Sequence, residues 1–284
     1  MKNIRIISRL DIKGPNVVKG IHLEGLRVLG NPKDFAKFYY EEGIDELMYM
    51  DVVASLYDRN SLKDIIESTA DELFVPLTVG GGLRNLEDVN TALRSGADKV
   101  CINTAAIKNP NLIKQISDKY GASTLVVAVE AIKDESGEYY AFTDNGREQS
   151  GKKVIEWVKE IQDLGAGEIL LTSVDKEGTG SGFDIELIKL VENLISIPLL
   201  AHGGAGKMED IKNVIEQTSI DAVVLSSILH YSTIKSNDFS NKKDLSEGNN
   251  DFLKSGGIFS KINPIPLSSL RQYLTNNNIN IRNE

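Results

Sequence analysis

A single cysteine, Cys101, in 284 residues leaves no partner for an internal disulfide. The chain also lacks any apolar run near the roughly 20 residues needed to span a bilayer. Its opening, MKNIRIISRL, has neither the apolar stretch nor the small-residue cleavage site of a secretory signal. These absences set the expectation of a cytoplasmic location. Basic residues are outnumbered, 32 Lys and Arg against 41 Asp and Glu, and a formal charge of −9 argues against a general binder of nucleic acid or anionic membrane. Any phosphate binding must therefore be local. What is present, 41% hydrophobic and 26% charged residues, is the composition of a globular chain with an ample core.

Short apolar, β-branched runs recur at 4–11, 46–53, 75–81, 99–105, 124–131, 168–175, 197–204 and 221–227, which makes eight strand candidates. Between them lie helical patterns: Pro32 to Glu42, Leu62 to Glu72, Leu86 to Ser95, Asn111 to Tyr120, Val154 to Leu164, Ile185 to Leu194 and Met208 to Gln217. Strand and helix repeated eight times close most simply as a (β/α)8 TIM barrel, with an open doubly wound sheet as the alternative. Residues 1–284 are expected to form one such barrel. After His230 the pattern is broken by a polar, Gly- and Asn-rich insertion at about 231–265, before a last helix at Leu267 to Leu274. A segment of that length reads either as a solvated loop or as a lid or partner-binding element.

The two halves echo each other at a spacing of about 120 residues, a self-similarity of the kind that repeat architectures leave. EEGIDELMYMD (41–51) answers DLGAGEILLTS (163–173), TVGGGL (78–83) answers AHGGAG (201–206), and DKVCINTAA (98–106) answers DAVVLSSIL (221–229). Asp11, closing the first strand, answers Glu130, closing the fifth. A barrel built of two similar halves should carry two similar anion sites on opposite sides of its mouth. Glycine clusters directly after strands, with Gly81 and Gly82 in one half and Gly204 in the other, let backbone N–H groups approach an anion. Asn103, Thr104, Ser226 and Ser227, at the ends of strands four and eight, add side-chain donors of the kind phosphate needs.

Barrel active sites are built at the carboxyl ends of the strands, where Asp11 and Glu130 face each other. Such a pair can divide general acid and base work, or merely cap loops and pair with Lys19. Lys19 lies in the loop after strand one, where it either closes over a phosphate or is simply solvated. Alternation along the first strand puts Arg5, Ile7, Arg9 and Asp11 on one face. Arg5, Glu46, Lys99 and Glu168, at the amino ends of their strands, then form an alternating ring of charges at the barrel's bottom. On pattern alone that ring reads as a stabilising ion-pair layer.

Together LDIKGPNVVKG (10–20), GIDELMYMDVVAS (43–55), TVGGG (78–82), GADKVCINTAA (96–106), GAGEILLTSVDKEGTGSGFD (165–184) and GGAGKMED (203–210) resemble the HisF family, the cyclase subunit of imidazole glycerol phosphate synthase. The resemblance covers nearly the whole chain outside the insertion. It implies an enzyme that takes a bis-phosphorylated ribulosyl aminoimidazole carboxamide (PRFAR) plus ammonia to imidazole glycerol phosphate and the aminoimidazole carboxamide nucleotide (AICAR), in histidine biosynthesis. Ammonia would arrive through the barrel from a HisH-like glutaminase docked at its amino-terminal face, and no metal or redox cofactor would be required. The same resemblance implies catalytic roles for Asp11 and Glu130. It implies phosphate or substrate binding by Lys19, Gly81, Gly82, Asn103, Thr104, Glu177, Gly204, Ser226 and Ser227. An ammonia gate would be made of Arg5, Glu46, Lys99 and Glu168, with Asp98 on the glutaminase.

Three positions depart from that pattern. The family normally has aspartate at Glu130 and Glu177, and cysteine at Arg9. A glutamate carries its carboxylate about 1 Å further, a displacement that costs on the order of 10²-fold in rate when it misplaces a reacting group. Arg9 would either sit below Asp11 and favour its ionised form, or reach across to Glu130 or Glu177. The start of the chain, ISRLDIKGPN and KGIHLEGLRVLG, is also similar to HisF-like paralogues associated with surface-polysaccharide synthesis. That resemblance implies an ammonia-channelling subunit working with a HisH-like glutaminase and an amidotransferase that makes acetamidino sugars.

Overall fold

The computed structural model describes residues 2–54, 63–236 and 261–282. Strand β1 (Arg5–Lys13) is followed by an antiparallel hairpin, β2 (Asn16–Ile21) and β3 (Glu24–Gly30), and by α1 (Pro32–Glu41). Then come β4 (Glu46–Asp51), α2 (Lys63–Ala70), β5 (Leu77–Gly80), α3 (Leu86–Arg94), β6 (Lys99–Ile102), α4 (Thr104–Lys108) and α5 (Asn111–Tyr120). The second half repeats the plan with β7 (Leu125–Lys133), the hairpin β8 (Tyr139–Thr143) and β9 (Glu148–Lys153), and α6 (Val154–Asp163). It continues through β10 (Glu168–Ser173), α7 (Ile185–Glu192), β11 (Leu199–His202), α8 (Met208–Gln217), β12 (Ala222–Leu225), α9 (Ser227–Lys235) and α10 (Leu267–Asn276).

Parallel pairing runs β1-β4-β5-β6-β7-β10-β11-β12 and returns from β12 to β1, so the eight expected strands close into a (β/α)8 barrel. The closure begins at residues just before the strands. The carboxylates of Asp45, Asp98 and Asp221 accept the N–H groups of Ile6 at 2.7 Å, Leu77 at 2.8 Å and Leu199 at 2.9 Å, each on the neighbouring strand. These donors lie at the lower rim, where burial without a partner is costly. Three helices start at a side-chain acceptor: Asn31 caps α1 before Pro32, and Asn85 and Asp184 cap α3 and α7.

Two cores result. The larger lies between barrel and helices, around Tyr39, Trp157, Ile161 and Leu270. The smaller fills the lumen with Ile7, Met48, Cys101, Val126, Leu170, Leu200 and Val224. Lumen and outer residues alternate along the strands, which is why β1 can carry two arginines and an aspartate on one face without exposing them.

The sequence expectations need three amendments. Both hairpins, β2–β3 and β8–β9, and the helices α4 and α9 lie in stretches read as loops or strand ends. Helix α9 carries the chain to Lys235, so residues 231–235 belong to the barrel and not to an insertion. Ile262 and Ile265 are buried, and the Ile265 N–H donates to the Ile228 carbonyl at 3.0 Å. The rest of the expected insertion, residues 237–260, lies outside the described residues. No helix among the described residues is long and apolar enough to cross a membrane.

Candidate functional site

The half-barrel repeat places a hairpin over each strand-end carboxylate. From β2, Lys19 Nζ donates to Asp11 Oδ2 at 2.9 Å and also pairs with Glu177 Oε1. In the turn joining β8 to β9, the Gly146 N–H donates to Glu130 Oε2 at 2.8 Å. Arg9 Nε completes the first cluster by donating to Asp11 Oδ1 at 2.7 Å, and the Leu23 N–H fixes Glu177 Oε2 at 2.9 Å. Arg9, Asp11, Lys19 and Glu177 are all buried, at 1–2% relative exposure. Lys19 therefore points inward onto two carboxylates, not outward over a phosphate. Of the alternatives for Arg9, the one beneath Asp11 is realised.

Burial opposes charge on each of these groups, so the ion pairs decide the outcome. At Asp11, burial is outweighed by the Arg9 guanidinium and then by the Lys19 ammonium, and the carboxyl is held below its usual range. Lys19 loses by burial but gains more from Asp11 and Glu177, and is raised to about 12. At Glu130 burial wins against Arg9 and the Gly146 N–H, and its carboxyl is pushed up to about 7. Two carboxylates at the ends of equivalent strands thus differ in their readiness to hold a proton near neutral pH.

His202, at the end of β11, belongs to the same cluster. Its Nδ1 lies 3.1 Å from Thr172 Oγ1 and 3.4 Å from Arg9 Nη1. An arginine can only donate, so Nδ1 is the acceptor and the ring is neutral. Burial, then the charges of Arg9 and Lys19, push its pKa well below the ordinary value. A correction to the repeat register exposes this residue. Gly81 (φ +90°) and Gly203 (φ +100°) hold the same place, because a Cβ on either would collide with a strand-end carbonyl, of Asp51 or of Ser173. His202 consequently answers Gly80, and pairing TVGGGL with AHGGAG one residue out of step hides the substitution of an imidazole for a glycine.

Among the described residues, two unequal depressions lie at the mouth of the barrel. A cavity of about 400 Å³ opens on the β4–β7 side, and Arg9, Gly81, Gly82, Asn103, Thr104 and Glu130 contribute to its wall. A smaller one of about 20 Å³ lies across the mouth, walled by Glu177, His202, Gly204, Ser226 and Ser227 among others. Asn103 and Ser226 occupy the residue before α4 and α9 respectively, so Thr104 and Ser227 open those helices. Thr104 Oγ1 accepts from the Asp144 N–H at 3.1 Å, and Ser226 Oγ donates to the Arg9 carbonyl at 3.0 Å.

At the opposite end of the lumen the ring of four charges is closed. Arg5 Nη1 reaches Glu46 at 2.7 Å and Glu168 at 2.9 Å, and Lys99 Nζ reaches the same two carboxylates at 3.2 Å. Between ring and mouth the lumen is apolar. On the ring's side of the molecule, just before β5, Phe74 is 83% exposed, with the Tyr40 ring 6.4 Å away. Nothing in the sequence pattern singles out Phe74; its exposure is visible only in the fold.

Comparison with known proteins gives one consistent answer. A family model described as histidine biosynthesis protein matches residues 5–235. An imidazole glycerol phosphate synthase subunit HisF from Legionella pneumophila is 55% identical over 210 residues, covering 74% of this chain and 99% of that protein. Proteins of the same name from Streptococcus mutans and Bifidobacterium adolescentis are 44% and 46% identical over 81% of this chain and 92% of their own length. The chain belongs to the histidine biosynthesis family and, within it, to the HisF proteins.

Proposed function

We propose that this chain is the ammonia-dependent cyclase and lyase subunit of an imidazole glycerol phosphate synthase. It converts PRFAR and ammonia to imidazole glycerol phosphate and AICAR in histidine biosynthesis. The observation that carries the reading is the spacing of functions around one mouth. Two glycine turns lie on opposite sides of it, and two carboxylates of unequal proton affinity, Asp11 and Glu130, lie between them. A substrate with a phosphate at each end is held across such a mouth with its middle over the carboxylates, which lowers the barrier by orientation. Gly81, Gly82, Asn103 and Thr104 serve one phosphate, and Gly204, Ser226 and Ser227 the other. Lys19, paired with both Asp11 and Glu177, fixes Asp11 from the hairpin above it.

The relatives are named as subunits, and this reading gives the present chain a HisH-like glutaminase as partner. The ring of Arg5, Glu46, Lys99 and Glu168 would gate ammonia into the apolar lumen. The exposed Phe74 and Asp98, on the same face, would dock the partner, since a large apolar side chain left bare is characteristic of contact surfaces. Expression in a strain lacking its own cyclase subunit tests the proposal: growth without histidine is the expected result.

One observation favours a second reading. Lys19 is turned inward to Asp11 and Glu177, so the mouth has one cation fewer for phosphate. In that reading the chain passes ammonia from a HisH-like glutaminase to an amidotransferase of acetamidino-sugar synthesis. Failure to restore growth, by folded protein that still binds the glutaminase, would favour it.

A further inference from the structure

The apolar lumen and the larger cavity at the mouth meet at Cys101 and Arg9. Cys101 belongs to the lumen core and also lines the cavity, and Arg9, the next inward position above Ile7 on β1, lines it too. Arg9 is buried and fixed in place: Nε donates to Asp11 Oδ1 at 2.7 Å and Nη1 to His202 Nδ1 at 3.4 Å. Its other N–H groups have no hydrogen-bond partner among the described residues, so they remain for whatever enters the cavity.

Without Arg9 the charges around this junction would favour ammonium over ammonia. Asp11, Glu130 and Glu177 all act on it electrostatically, from β1, from β7 and from the turn after β10. A close opposite charge shifts an ionisable group towards its charged form by about 1–3 pK units. The apolar lumen passes nitrogen as the free base, because an ammonium ion would lose its hydration there. On arrival among carboxyl groups that free base would take up a proton, and with it lose the lone pair needed to attack carbon. Two cations oppose this. Lys19 is turned to Asp11 and Glu177, whereas Arg9 lines the cavity itself. His202 adds no charge, since its Nδ1 accepts from an arginine that can only donate.

We propose that Arg9 is a specificity residue for the nitrogen substrate: a resident cation where lumen and mouth meet, it occupies the place an ammonium ion would take, so that ammonia reaches the reacting carbon as the free base. This rests on the ammonia-using reaction proposed above. Both properties of the guanidinium act in the same direction. Its charge repels ammonium, and its free N–H groups can hydrogen-bond only to a lone pair, which ammonia has and ammonium lacks. With the side chain removed, Asp11 Oδ1 and His202 Nδ1 become two acceptors facing a vacated space, with Lys19 as the one cation left to balance the carboxylates.

The test uses potassium, an unreactive ion with the charge and nearly the size of ammonium. The apparent KM for ammonia is measured on the purified chain at fixed pH and saturating bis-phosphate substrate, with potassium chloride replacing choline chloride at constant ionic strength. Wild type and Arg9→Lys keep the cation and are expected to be insensitive to the exchange. Arg9→Met opens the place to a small cation: potassium should compete with ammonia and raise its apparent KM at least about tenfold, the lower end of what a close charge contributes. Should Arg9→Met fold poorly, Arg9→Gln, whose amide can still donate to Asp11, takes its place. A merely structural arginine gives a different result: kcat falls in the variant and potassium has no effect, which overturns the proposal and leaves the reaction standing. Potassium inhibition of the wild type, or of Arg9→Lys as strongly as of Arg9→Met, overturns it too. No turnover of ammonia by folded wild-type chain overturns the reaction itself, and this proposal with it.

Discussion

Arg9 Nε donates to Asp11 Oδ1 at 2.7 Å, two residues apart on one strand and both inside the barrel. Alternation along β1 makes this contact possible, since it puts every second side chain into the lumen. Removing one partner of a buried ion pair leaves an uncompensated charge, which costs about 3–5 kcal/mol. Arg9→Leu should therefore destabilise the chain by an amount toward the lower end of that range, because Lys19 still holds Asp11. Urea denaturation measures it, and a loss under about 1 kcal/mol would mean the pair contributes little.

His230 gives a pH-dependent prediction of definite sign. Its Nε2 donates to the Arg9 carbonyl at 2.9 Å and its Nδ1 accepts from Tyr39 OH at 2.7 Å, so the ring is neutral. Burial, then the Lys19 charge, lowers its pKa from the ordinary 6.5 to about 3. Between those values the unfolded chain binds the extra proton, so this contribution to stability is complete above pH 6.5 and is lost as pH falls towards 3. His230→Gln should flatten the fall in stability below pH 6.5, by up to about 1.4 kcal/mol per pH unit. Glu130 acts in the opposite direction: its raised carboxyl makes stability decline as pH rises from about 4.5 to about 7. Glu130→Gln should remove that decline, and a slope unchanged in both variants would show that neither group titrates as described.

Gly81 and Gly203 carry positive φ at equivalent places, and a Cβ on either would meet a strand-end carbonyl. Alanine at either position combines backbone strain with overlap, so Gly203→Ala should cost more than about 1 kcal/mol. It should also raise KM for a phosphorylated substrate. Calorimetry and steady-state kinetics check both; a stable variant with unchanged KM would remove the turn from the site.

The barrel strands are legible in the sequence because each is a short apolar run with the lumen residues two apart, as at Arg5, Ile7, Arg9 and Asp11. The hairpins are harder to read. Between β2 and β3 the turn is made by His22 and Leu23, both with positive φ, residues that carry none of the usual turn signal. In the second hairpin Asp144, Asn145 and Gly146 carry that signal, in a stretch read only as a connection, and they make the turn whose N–H holds Glu130. Asp11 and Glu130 are found by counting strand ends. The inward direction of Lys19 is not, because it depends on how β2 folds back to pair Val18 with Asp11. His202 escapes for a different reason: a one-residue slip in aligning the halves conceals that it stands where its counterpart is Gly80.

Phe74 offers a test of the partner surface that leaves the mouth alone. An aromatic side chain exposed at 83% is the kind of anchor whose loss costs 2 kcal/mol or more in binding, about 30-fold in Kd. Phe74→Glu should weaken association with a HisH-like glutaminase by at least that factor while ammonia-driven turnover is unchanged. Titration calorimetry reads the first and product formation the second. Equal affinity for wild type and variant would place the docking surface elsewhere.

The most direct test of the central claim is product formation by the purified chain alone, supplied with the bis-phosphate substrate and high ammonium salt at alkaline pH. The account predicts imidazole glycerol phosphate and AICAR in equal amounts, with no glutaminase present. Absence of both products from folded protein that still binds a HisH-like glutaminase would contradict it, and would move the chain to the glycan-amidation reading.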